Sequence, residues 1–158
     1  MDTVLFWIEE KNISMEVPDA YLKTPLHLTA KHGQVEVAKY LLNHGANINS
    51  KDHKDQTPLH CAAYRNQFEM VKLLCQRGAA KTRDTFEGRN TPVSRAVFRG
   101  NTRIVAYLLD GTDIEEKGLE DAPLLAAAKK GHFEVVRLLL ERGAQLEATD
   151  DEKETPDV

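Results

Sequence analysis

The sequence predicts an all-α solenoid of stacked helix-turn-helix units. Three observations point there. Thr24-Pro25-Leu26-His27 recurs as Thr57-Pro58-Leu59-His60, 33 residues later. The same frame continues in degenerate form at Thr91-Pro92-Val93-Ser94, Ala122-Pro123-Leu124-Leu125 and Thr155-Pro156. Behind each start lie two short stretches of helical apolar spacing, separated by a breaker. A fixed period in this range means stacked units, each burying its apolar face on its neighbours rather than in a core of its own.

In the first unit Thr24 is placed to cap a helix with its hydroxyl, and Pro25 takes the first helical position, where a missing N–H costs nothing. Leu26, Thr29 and Ala30 share one narrow face by three- and four-residue spacing. His32-Gly33 ends that helix. A second helix runs through Val35, Val37, Ala38, Leu41 and Leu42, and Gly45 closes it as a left-handed C-terminal residue. Residues 46–56 are polar and turn-prone, with Asp52 where a tight turn is expected.

The second unit repeats this with Cys61, Ala62 and Ala63, then Asn66 in place of glycine, then Phe68, Met70, Val71 and Leu74 up to Gly78. The fourth supplies Ala126-Ala127-Ala128, Gly131, then Phe133, Val135, Val136, Leu138, Leu139 and Gly143. Small alanines let paired helices approach closely enough to stack. The whole chain therefore reads as one domain. Residues 1–23 form an N-terminal half-unit, with a lone capping helix over 3–11. Residues 24–56, 57–90, 91–121 and 122–154 are the repeats, and 155–158 begin a fifth. The unequal spacings place an extra residue near Phe86-Glu87-Gly88 and a deletion between Asp110 and Gly118, both in connecting loops. Because Leu138-Leu139-Leu140 is not a polar outer face, either the chain continues in a longer protein or the acidic tail from Asp150 to Val158 covers it.

Phrases such as Thr57-Pro58-Leu59-His60-Cys61-Ala62-Ala63 and Gly131-His132-Phe133-Glu134-Val135-Val136 resemble the ankyrin repeat family over residues 24–149. The resemblance implies an L-shaped stack of helix pairs with β-hairpin-like finger loops, and a first helix lining the concave face. It also implies imidazole hydrogen bonds to Thr and backbone at His27 and His60.

Composition narrows the function classes. No apolar run is long enough to span a membrane. Val4–Ile8 is too short for a signal-peptide core, so an intracellular protein is expected, cytoplasmic and with the nucleus open to it. Cys61 and Cys75 occupy positions where the first unit has Leu28 and Leu42, and read as reduced core residues. No histidine pair shares metal-ligand spacing with a cysteine or carboxylate. There is no phosphate-cradling loop and no nucleophile elbow. The expectation is no catalytic residue, no metal and no cofactor. Residues 24–149 carry 18 Lys or Arg against 15 Asp or Glu, while 1–23 and 150–158 are net −3 and −4. A chain that is −4 overall does not read as a nucleic-acid binder.

What remains is surface. At the end of each first helix the four units carry Lys31-His32, Tyr64-Arg65, Phe98-Arg99 and Lys129-Lys130, a stripe that is basic throughout and aromatic at its centre. Arg95 lies one turn back from Phe98-Arg99, where other units have Leu28, Cys61 and Ala126. Tyr64, Arg65, Arg95, Phe98 and Arg99 are the expected hot spot, since aromatics and arginine concentrate at interface centres. Lysines at helix C-termini also complement the macrodipole without any partner, which accounts for Lys31, Lys129 and Lys130 but not for Tyr64, Phe98 or Arg95. Finger tips add Tyr21, Lys23, His53, Lys54, Phe86, Glu87 and Leu119. The third unit looks weakest, with Ser94 for histidine and Thr102 where others have Val35, Phe68 and Phe133. The sequence thus predicts a monomeric, non-catalytic protein-binding scaffold for an acidic or mixed acidic and apolar surface. Alternatives are the targeting portion of a longer enzyme or effector, and a direct enzyme inhibitor.

Overall fold

A computed structural model describes residues 16–81, 90–110 and 122–144. The expected helix over 3–11, the finger residues Phe86, Glu87 and Leu119, and the tail from Asp150 lie outside them. The described residues form eight helices and no strand. They are α1 (Pro25–His32), α2 (Val35–Asn43), α3 (Pro58–Tyr64), α4 (Phe68–Gln76), α5 (Pro92–Phe98), α6 (Thr102–Leu109), α7 (Ala122–Lys129) and α8 (Phe133–Glu141). Odd-numbered helices stack in one row and even-numbered helices in another, with each pair packed together.

The two rows are not equally tight. Ala30, Ala62, Ala63, Ala96 and Ala127 are fully buried in the odd row. With little more than a methyl group at the crossing, these helices pack more closely on one another than the even helices do. The odd row is therefore the more closely packed side of the array, the side that the ankyrin resemblance implies is concave. The core between the rows is filled by Leu26, Leu41, Leu59, Met70, Leu74, Val93, Ile104, Leu108, Leu109 and Leu139. The third unit is not short of apolar packing, because Ile104, Val105, Leu108 and Leu109 are all fully buried despite the polar start at Thr102.

Buried histidines tie one unit to the next. Nδ1 of His27 accepts from the Thr24 backbone N–H at 3.1 Å and lies 2.9 Å from the Thr24 hydroxyl. Its Nε2–H donates to the Gln56 carbonyl at 2.8 Å, just ahead of the next capping threonine. His60 repeats the arrangement with Thr57 and donates to the Asn90 carbonyl at 2.9 Å. Because a carbonyl can only accept, these bonds assign the proton to Nε2 in both rings. Ser94 preserves the local half: its Oγ accepts from the Thr91 N–H and donates to the Thr91 carbonyl, and its own N–H donates to Thr91 Oγ1.

The inter-helix turns add a second set of ties. Asn101 Nδ2 donates to the Ala63 carbonyl at 2.7 Å, and His132 Nε2–H donates to the Phe98 carbonyl at 3.1 Å. Both turns depend on left-handed backbone in the preceding unit. Asn66, at φ 59°, replaces the glycine found at Gly33, Gly100 and Gly131. Gly100 is required twice over, since a Cβ there would stand 2.7 Å from His132 Nδ1.

The two described fingers are congruent turns. Asp19 Oδ1 accepts from the N–H groups of Tyr21 and Lys23, and Asp52 Oδ1 accepts from those of Lys54 and Gln56. These bonds hold the exposed Asp19 carboxyl below its usual range, the Lys23 N–H contributing most. Adjacent fingers are also linked, Glu16 accepting from the Asn47 N–H and Asn49 from the Ala80 N–H.

Burial lowers the pKa of His27 and His60, outweighing the carbonyl acceptors that raise it. A folded-state value below the unfolded one means that the unfolded chain binds more protons, so stability is full above about pH 6.5 and declines as pH falls below it. Urea midpoints at pH 7.5 and pH 5 should therefore differ, with the lower pH less stable. Replacing His60 with Ala should cost about 1–3 kcal/mol, because it strips partners from the buried Thr57 N–H and the Asn90 carbonyl. The same change should abolish part of the pH dependence.

Candidate binding surface

The odd helices end on the concave side, and their last residues set the chemistry of that face. Each odd helix breaks at a left-handed residue, so the two positions ahead of the break point away from the core. Tyr64 is half-buried, Arg65 exposed, Phe98 43% exposed and Arg99 exposed. The Tyr64 and Phe98 rings lie 6.5 Å apart between centroids and within 18° of parallel.

The cations follow a rule. Arg99, from the third unit, reaches back to place its guanidinium 5.0 Å from the Tyr64 ring centre. Lys130, from the fourth, reaches back in the same way to 4.7 Å from the Phe98 ring. Arg65 has no ring to reach back to, because the first unit carries Lys31 at that position, and like charges repel. It sits instead 5.7 Å from its own neighbour Tyr64. Contacts of this kind are worth about 0.5–1 kcal/mol at exposed sites, enough to orient the side chains without withdrawing their charge from solvent. Among the described residues none of the ion pairs involves Arg65, Arg99 or Lys130.

Tyr64, Arg65, Phe98, Arg99 and Lys130 are thus brought together. Arg95 is not among them. Its Nε–H donates to Asn90 Oδ1 at 2.8 Å, and Asn90 Nδ2 in turn reaches the Lys54 carbonyl, so Arg95 is drawn toward the finger. Lys31 is half-buried and His32 exposed at the end of α1, while Lys129 is exposed at the end of α7. The tips of the first two fingers form a separate patch. Tyr21 is 61% exposed, its ring 5.4 Å from that of His53, and His53 meets the Tyr21 carbonyl through both its backbone N–H and Nδ1. Phe86 lies outside the described residues.

Several exposed apolar residues escaped sequence reasoning, Leu28, Leu22 and Phe133 among them. Leu28 is 41% exposed in the column of Cys61 and Arg95. The presence of arginine in that column was the available signal that it faces outward. Leu22 is 54% exposed at φ 58°, matching Asp55 at φ 55° in the next finger. Nothing in the local sequence marks a leucine as left-handed.

Burial pushes the Cys61 thiol up to about 11, so it is protonated at neutral pH, and no disulfide joins it to Cys75. Among the described residues no group of three or more His, Cys, Asp or Glu is placed to hold a metal. Nor is any described helix long and apolar enough to cross a membrane.

A curved array of helix pairs, tied unit to unit through Thr-Pro-Leu-His starts, defines a repeat protein. The family model for ankyrin repeats in three copies matches residues 2–85 and again 79–150, and the chain belongs to the ankyrin repeat family. It is 35% identical over 159 residues to the human transient receptor potential cation channel subfamily A member 1, covering 95% of this chain and 14% of the channel subunit. The Caenorhabditis elegans homolog of that channel is 32% identical over 82% of this chain and 11% of its own length. Delta-latroinsectotoxin-Lt1a of Latrodectus tredecimguttatus is 41% identical over 31% of this chain and 4% of the toxin. The chain therefore spans only a small part of each of these relatives. Ankyrin repeats generally mediate protein–protein interaction and are generally non-catalytic.

The stripe's placement outside the stacking contacts has a thermodynamic consequence. Phe98→Ala should cost less than about 1.5 kcal/mol of stability, because the side chain is only partly removed from water. Leu108→Ala, one helix away and fully buried, should cost about 2–5 kcal/mol. Urea denaturation of both variants measures the contrast.

Proposed function

We propose that this chain is a non-catalytic recognition scaffold, acting as a monomer, that binds a partner protein with an acidic or mixed acidic and apolar surface. Tyr64, Arg65, Phe98, Arg99 and Lys130 carry the contact. One observation supports this above the rest: two adjacent rings are each overlaid by a cation from the following unit, on the concave side of the array. Such a surface combines apolar area with positive charge that has no acidic neighbour among the described ion pairs. The finger patch of Tyr21 and His53 is an auxiliary contact, and Arg95 positions the adjoining finger through Asn90.

A second reading concerns context. Similarity along nearly the whole chain to a stretch of a much longer channel subunit supports an array that serves as the recognition segment of a larger protein. The same stripe would then receive its partner on behalf of that protein.

Affinity capture from the source cell identifies a partner, and variants then assign the site. Phe98→Ala should weaken binding by about 2 kcal/mol. Arg65→Glu with Arg99→Glu should slow association and flatten its dependence on salt, since attraction to acidic groups steers the encounter. Normal binding by these variants, with binding abolished by His53→Ala, would move the site to the fingers.

A further inference from the structure

We infer that the outer face of α8 is a second docking surface, which takes a helix of a partner protein carrying Arg or Lys with Tyr or Phe four residues later. This surface is separate from the concave stripe, and its occupant is basic and aromatic rather than acidic.

The chain holds an occupied copy of the same seat. Helices α4 and α8 both open on Phe-Glu, at 68–69 and 133–134, and both run for nine residues. α4 is packed between α2 and α6. From the α6 side, Arg103 places its guanidinium 3.7 Å from the centre of the Phe68 ring. Tyr107 crosses that ring at 76°, with centres 5.6 Å apart. Being four residues apart, these two side chains reach α4 from one face of α6. Burial there raises the pKa of the Tyr107 hydroxyl. Under this cover Phe68 is half-buried, and Val71, one turn further on, is fully buried.

On α8 the corresponding positions are bare. Among the described residues α6 and α7 pack against it, with α6 on the side that α2 takes on α4. No described ring or cation lies over Phe133, which is 70% exposed. Val136 is only half-buried where Val71 is fully so, and Leu140 is half-buried a turn beyond. Phe133, Val136 and Leu140 stand at i, i+3 and i+7, one face of the kind that a second helix packs upon. Beside them Arg137 pairs with both Glu134 and Glu141, at 2.9 and 3.7 Å, which leaves one net negative charge next to the ring.

Charge and aromatic content select the occupant. A ring face attracts a cation and repels a carboxylate. A second copy of this chain stacked on by its first unit would bring α2, which has Glu36 where α6 has Arg103. Its Tyr40, in the place of Tyr107, is already stacked on His44 at 4.0 Å. Among the described helices only α6 sets Arg or Lys four residues ahead of an aromatic, and that pair is engaged at Phe68. Residues 145–158 hold one cation, Lys153, and no aromatic. The matching helix therefore belongs to another protein.

The test uses fluorescence anisotropy with the whole chain and three labelled helical peptides of about 20 residues. Each has an Ala- and Gln-rich background, and net charge is matched by residues on the far face. One carries Arg with Tyr four residues later, and the second has Glu in place of that Arg. In the third, Tyr follows Arg by two residues, which puts the pair on opposite faces. The first should bind at least about fivefold more tightly than either control. It should shift the amide NMR signals of Phe133, Val136 and Leu140 and leave those of Tyr64 and Phe98 in place. Phe133→Leu, which keeps apolar area but removes the ring, should abolish the preference, whereas Arg99→Gln should preserve it. Equal binding of the three peptides, or a preference that survives Phe133→Leu, would overturn the inference. Sedimentation showing that the chain alone associates, and that Phe133→Asp restores the monomer, would give the face to a second copy instead. Absence of binding by every peptide would remove this docking surface and leave the reading of the concave stripe untouched.

Discussion

Close approach of the odd helices is the constraint on which the rest of this structure depends. No helix pair here is large enough to bury its own apolar face, so every unit is folded against another. What permits the approach is the alanine row of Ala30, Ala62, Ala63, Ala96 and Ala127. What fixes its register is the hydrogen bonding of His27 and His60, each capping its own helix while gripping the backbone that begins the next unit. The alanine row accordingly packs more tightly than the row behind it. The functional surface then inherits its geometry. Rings at the ends of α3 and α5 stand 6.5 Å apart only because the helices bearing them are held close.

The same constraint explains where this array tolerates change. Ser94 stands in the histidine's place and keeps the local cap with Thr91, while His132 reaches back to the Phe98 carbonyl as Asn101 reaches back to the Ala63 carbonyl. That bond also fixes the Phe98 backbone beside its exposed ring. Opposite, on the even row, Phe68 is held between the Arg103 guanidinium at 3.7 Å and the Tyr107 ring at 5.6 Å. Phe133 holds the corresponding position in the fourth unit and is 70% exposed.

The repeat frame, the helix starts and the glycine breaks were legible because each rests on local rules. Proline at the first helical position, threonine before it and glycine after the last turn act within a few residues. Asn66 was legible as a glycine substitute for the same reason. The stripe was legible in part. Its composition could be read from positions, but Lys130 looked like a solvated helix end, and only the fold brings it over Phe98. Arg95 shares a helix face with Phe98 by spacing, yet Asn90, five residues earlier in a loop, draws it aside. Spacing along one helix cannot reveal a competitor arriving from a finger. Nor could it reveal Leu28, whose exposure depends on how the first unit meets the concave side. The polar Thr102 suggested a thin core that Ile104, Val105, Leu108 and Leu109 fill without it.

The central claim is that cations of one unit are held over aromatic rings of the unit before it. Ring-current shifts report this directly, since methylene protons above an aromatic face resonate upfield of their free values. In the unliganded chain the Lys130 ε-methylene and Arg99 δ-methylene protons should be shifted upfield. Phe98→Leu should return the Lys130 signal, and Tyr64→Leu the Arg99 signal, to ordinary positions. Unshifted signals in the wild-type chain, at low salt and neutral pH, would contradict the account, because the stripe would then be a set of independent side chains in solvent.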